Sequence, residues 1–195
     1  MTTTPTELLC QFYQAGQAAL AGRRPPPPSR PPGAALDAVT LLARQIGLDV
    51  ILTEAIAADS REWAAEQAGL ARATPAGTLI LDSGTAPRNG TGRDSRTLAS
   101  GTFASGTFEC LLALGLALDG ASDIWALACD HQPQDGATGA FLCPDSLARA
   151  MAAGMDPAAM LAGREAQDLF HHLGDLVPAG DGARTRGDFR AILVL

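Results

Sequence analysis

Cys129, Asp130, His131, Asp135, Gly136 and Thr138 fall within ten consecutive residues. A thiol, an imidazole, two carboxylates and a hydroxyl so close together raise two chemistries, a metal site and a polar ligand site. Structural zinc takes four Cys or His ligands at close paired spacing. Neither CxxC nor HxxxH occurs around Cys129, His131 and Cys143, so the spacing favours small buried thiols and a loop histidine over a metal. The ligand reading has a structural basis. Asp123–Ala128 reads as a short buried strand, and the polar residues follow it. Open α/β sheets bind ligands on loops beyond the carboxyl ends of their strands.

Other candidates are weaker. His171 and His172 are adjacent, so on a helix they point about 100° apart and do not share a ligand. A position near a helix C-terminus, favoured by the dipole, accounts for both. Glycines recur in Ser83–Gly92, Gly101–Gly106 and Gly180–Gly187, but none of these stretches forms GxxxxGK[ST] or GxGxxG after a strand. Ser83 and Ser105 lack the GxSxG turn of a hydrolase nucleophile.

The chain that must position these residues has 195 amino acids, 47% hydrophobic and 18% charged, which suits one domain with an appendage. The net charge of −7 disfavours nucleic acid as a partner. The longest apolar run, Cys110–Leu118, is shorter than the roughly 20 residues of a membrane span. The first residues lack the pattern of a secretory signal, and the four cysteines lack paired spacing, so reduced thiols in a cytoplasmic protein are expected.

Three segments are expected: an amphipathic helix within residues 1–22, a Pro-rich linker over 23–33, and an α/β domain over 34–195. Within the last, helices are expected at Ala35–Ile46, Asp59–Ala73 and Thr107–Leu118, with shorter ones at Pro144–Ala153, Asp156–Leu161 and Glu165–His172. Strands are expected at Leu48–Leu52, Thr78–Leu81, Thr97–Phe103, Asp123–Ala128, Asp175–Val177 and Phe189–Leu195. Asp59 or Ser60 is placed to cap the second helix, and Asp156 with Pro157 at N1 to start a later one. Alternating strands and helices imply βαβ units and a mostly parallel sheet with helices on both faces.

Taken together, residues 34–195 resemble the MOFRL domain, the C-terminal domain of the glycerate 2-kinase family, whose members also carry the name hydroxypyruvate reductase. The resemblance runs through GTLILDSGTA, FECLLALGLAL, DIWALACDHQPQDGATGAF, the helical tail DSLARAMAAGMDPAAMLAGREAQDLFHHLGDLV and the closing GDFRAILVL. More weakly, ELLCQFYQAGQAALAGRRPPPP resembles the opening helix of the full-length kinase, with the large N-terminal domain missing after it.

The resemblance implies ATP- and Mg²⁺-dependent phosphorylation of glycerate, a small anionic substrate, and a kinase domain supplied by a separate chain. It assigns Asp130 and Asp135 as catalytic, and Gly106, Glu109, Gly136 and Thr138 as substrate-binding, with no metal ligand of the chain's own. The departures fall on polar positions. The family's Gly-Gly-Arg-Asn-Gln-Glu run reads Ala104-Ser105-Gly106-Thr107-Phe108-Glu109, without the arginine. The Thr-Asp after the Asp-rich loop reads Thr138-Gly139, and Ala179–Thr185 keeps little of its counterpart beyond Gly180. An arginine on a transferring phosphoryl group is worth about 10³–10⁵ in rate. The expectation is a divergent domain, weakly active or inactive alone. The alternative is a non-catalytic module that binds a small anion or a partner protein.

Overall fold

A computed structural model describes residues 3–20, 33–54, 59–82, 106–134, 136–179 and 188–195, without the side chains of 131–134. The elements in chain order are α1 (Pro5–Leu20), α2 (Gly33–Gln45), β1 (Asp49–Thr53), α3 (Ser60–Ala73), β2 (Thr78–Asp82), α4 (Gly106–Leu118), β3 (Ile124–Gln134), β4 (Ala137–Leu142), α5 (Ser146–Ala152), α6 (Pro157–Gly163), α7 (Ala166–Leu173), β5 (Leu176–Pro178) and β6 (Phe189–Val194). The strand expected over 97–103 and most of the expected linker lie outside the described residues.

The six strands form one sheet in the order β1-β2-β6-β3-β4-β5. Period-2 alternation sends successive side chains to opposite faces. Ile80 in β2, Ala126 and Ala128 in β3 and Ile192 in β6 join a core with Trp63, Ala64 and Ala68 of α3, Leu111 and Leu114 of α4 and Phe170 of α7. Leu79, Leu81, Leu127, Cys129, Ala191 and Leu193 point the other way, onto Leu9 and Phe12 of α1 and Val39 and Ala43 of α2. Helices on both faces of the sheet are what the sequence implied. α1 belongs to this packing: Leu9 and Phe12 are fully buried, and Tyr13 meets the ring of Phe189 at 5.6 Å between centroids.

The mostly parallel sheet is corrected. Among the described residues only β1 and β2 pair in parallel, while β2–β6, β6–β3, β3–β4 and β4–β5 are antiparallel. The βαβ reasoning gives β1, β2 and β3 a common direction, which holds. The closing strand β6 then inserts between β2 and β3 and runs against both. A hairpin adds β4 at the other side of β3. The loop expected after Ala128 is corrected too, because β3 continues to Gln134 and Thr138 lies within β4.

Local signals start and stop the helices as expected. The Asp59 carboxylate accepts the N–H groups of Arg61 and Glu62 at 2.8 and 2.9 Å, and Asp156 does the same for Ala158 and Ala159 ahead of Pro157. Asp59→Ala should cost about 1 kcal/mol through the lost cap, read as a lower urea midpoint. An unchanged midpoint would mean that α3 is held by packing alone. α4 is apolar on all sides, with ten of its thirteen residues buried, which is the signature of a helix enclosed by neighbours. Its enclosure decides the environment of Glu109.

Candidate functional site

The carboxyl ends of β1, β2 and β3, the amino ends of β4, β6 and α4, and the β3–β4 turn share one edge of the sheet. The sequence-derived residues gather along this edge but not at one point. Gly106 begins α4, and Glu109 lies one turn in, 4% exposed. Burial pushes the Glu109 carboxyl above the ordinary glutamate range. A bond from its own backbone N–H and the charge of Arg164 oppose that shift. Asp130 is half-buried, just past Cys129, where the regular ladders to β4 and β6 end. By strand alternation it continues the Ala126–Ala128 row on the α4 side. Gly136 takes φ 80° in the hairpin turn, a conformation that favours glycine. Asp135 lies outside the described residues.

Thr138 sits elsewhere. It is 2% exposed, and its hydroxyl donates to the Val177 carbonyl across a long 3.4 Å contact and bonds to the Cys129 thiol. Val177 and Cys129 belong to the core beneath α1 and α2. Thr138 and Glu109 therefore face opposite sides of the sheet. Among the described residues, no three His, Cys, Asp or Glu side chains converge as a metal site would require.

A buried polar cluster at the same edge is not among the residues singled out in the sequence. Asp82, the last residue of β2, stands directly opposite Arg190 of β6. Asp82 Oδ2 accepts from Arg190 Nε at 2.9 Å and from Trp63 Nε1 of α3, also at 2.9 Å. Asp82 and Arg190 are 4% and 3% exposed, and the guanidinium carbon lies 5.7 Å from the Trp63 ring centroid. That distance suits a cation–π contact. The signal in the sequence is a lone arginine within the apolar run Phe189–Leu195. The thiol of Cys110, beside Glu109, is pushed up to about 12 chiefly by burial, with smaller effects from Arg190, Glu109, Asp82 and Asp188. It is therefore a core thiol rather than a nucleophile. At the far end of the sheet, Gly115, Leu118, Ile124, Leu142 and Leu147 line a small apolar hollow away from all of these groups.

Two Agrobacterium vitis proteins named "Putative hydroxypyruvate reductase" are each 37% identical to this chain, over 169 and 175 residues and 84% of its length. The chain spans 38% and 44% of those relatives. Among solved structures, glycerate kinase from Thermotoga maritima superposes with a TM-score of 0.68 at 17% identity, over 84% of this chain and 40% of that one. A Pyrococcus horikoshii protein superposes at 0.64 and 14% identity, over 83% and 38%. At such identities the likeness establishes the fold, and the sequence profile of the MOFRL family matches residues 90–185. Residues 90–185 thus match the MOFRL family, and the chain shares the fold of part of the Thermotoga maritima glycerate kinase.

Proposed function

We propose that this chain is a divergent relative of glycerate kinase that keeps the family's scaffold and, by itself, phosphorylates glycerate weakly or not at all. The observation that carries this reading is the division of the expected site. Glu109 and Asp130 lie toward α4, whereas the Thr138 hydroxyl is committed to Val177 and Cys129 on the other face. Phosphoryl transfer is almost entirely positioning and electrostatics, so a scattered set of polar groups without the family's arginine has little to work with. Any activity would run through Asp130 and Asp135, with ATP and Mg²⁺ held together with a separate kinase-domain chain. Among the described residues all four cysteines are free thiols and no helix is long and apolar enough to cross a membrane, which supports a cytoplasmic setting.

A coupled kinase assay with D-glycerate, ATP and Mg²⁺ tests the reading. Turnover at background is expected. Turnover clearly above it, abolished by Asp130→Ala, would overturn it.

A further inference from the structure

β1 closes one end of the strand order, and β5 closes the other. Sheet edges present unpaired N–H and C=O groups, which proteins blunt with short strands, proline, lysine or bulges. β5 carries two of these devices, being three residues long and ending in Pro178. β1 carries none. It runs five residues, Asp49–Thr53, in unbroken register with β2, and contains neither proline nor a basic residue. The Asp49 N–H donates to the Gly77 carbonyl, so the backbone groups of Asp49, Ile51 and Thr53 face β2. Those of Val50 and Leu52 face outward, where no described element pairs with them. The edge is also apolar. Leu52 is 56% exposed, and Ile46, in the turn that leads into β1, is 50% exposed.

We propose that β1 is a self-association edge, on which β1 of a second copy of this chain pairs antiparallel about a two-fold axis through Ile51. The strand is self-complementary in that register, which uses all five of its residues. Leu52 stands opposite the partner's Val50, and Val50 opposite the partner's Leu52. Both members of each pair have their backbone groups facing outward, so they exchange both N–H···O bonds. Ile51 meets its own copy at the axis. Asp49, the one charged residue of the strand, comes opposite the partner's Thr53 rather than a second aspartate, so no like charges are directly opposed. A second copy satisfies two such edges at once, as an isologous contact does. A pairing of this length lies at the low end of interface sizes, where association is transient. The dimer therefore forms as concentration rises and comes apart on dilution. This inference is independent of the functional reading above.

Sedimentation velocity of the full chain tests it at physiological ionic strength, where the net charge of −7 is largely screened. Between micromolar and millimolar concentration the wild type should shift from monomer to dimer. Leu52→Lys, at an exposed position, should raise the dissociation constant about tenfold or more while the unfolding temperature stays unchanged. Oxidative cross-linking reads the register. The axis brings the two copies of residue 51 to about 4.5 Å between Cα atoms, within disulfide reach, and keeps the two copies of residue 49 far outside it. Ile51→Cys should thus form a covalent dimer about tenfold faster than Asp49→Cys, with the wild type as the control for the native thiols. Thermal unfolding of both cysteine variants checks that each is folded. A wild type that stays monomeric throughout would overturn the proposal and leave the edge to a strand of another protein. A dimer that Leu52→Lys leaves intact, or one that cross-links equally well through residues 49 and 51, would place the contact elsewhere and overturn it too.

Discussion

Arg190→Ala is expected to destabilise the fold by about 3–5 kcal/mol, the usual cost of removing one partner from a buried ion pair. Three observations support a value in that range. Arg190 and Asp82 are almost completely buried, their Cα atoms are directly opposed across the β2–β6 ladder, and Asp82 Oδ2 takes bonds from both Arg190 and Trp63. Truncation leaves the Asp82 carboxylate in the core without its cation, still accepting from Trp63 Nε1–H, and it also removes the guanidinium from the indole face. Because β6 lies between β2 and β3, the loss falls on the strand that joins the two halves of the sheet. Urea unfolding measures it. A loss below about 1 kcal/mol would place the pair with ordinary surface ion pairs and refute the prediction. Asp82→Leu combined with Arg190→Met should recover much of the loss, because removing both charges leaves neither one buried alone. The double variant separates the cost of an orphaned charge from the value of the contact.

Most elements were legible in the sequence to within a few residues, but β4 and the second half of β3 were read as a loop. α3 is written in Asp59, the spacing of Trp63, Ala64, Ala68 and Ala71, and the stop at Pro75. α6 is written in Asp156-Pro157. Strand pairing was not legible, for a physical reason. β6 comes from the end of the chain and enters the gap between β2 and β3, and local periodicity carries no information about which strand fills a gap. The stretch after Ala128 looked like a loop because its composition is polar. Its hairpin signal is Asp135-Gly136, a pair that favours positive φ, and Gly136 has φ 80°. The candidate site was legible as a location, the carboxyl edge of the sheet. Its internal arrangement depends on register. Thr138 faces Cys129 and Val177 rather than Glu109 because of how β4 sits on β3 and β5. The Asp82–Arg190 pair needs the same register, which only the assembled sheet supplies.

Register also fixes the meaning of Gly139. Gly139 lies opposite Cys129 on β3, beside the point where the register shifts before Gln134. A Cβ added there would run into the Ala128 carbonyl oxygen and come within 2.7 Å of the Cys129 Cα atom. Both are backbone atoms in the middle of the sheet, so no side chain can turn aside to relieve the clash. Gly139→Ala is therefore expected to cost about 3 kcal/mol or more, at the upper end for added bulk in a packed core. Gly69 provides the contrast. It is exposed on α3, and an added Cβ there meets nothing within 4 Å. Gly69→Ala should stabilise the protein by about 0.5–1 kcal/mol, the ordinary helix preference for alanine. Denaturant unfolding of the two variants should thus shift the midpoint in opposite directions for one chemical change. A Gly139→Ala protein of wild-type stability would mean that β3 and β4 separate easily at this point. Gly139→Asp, which adds more bulk at the same place, should unfold this edge of the sheet.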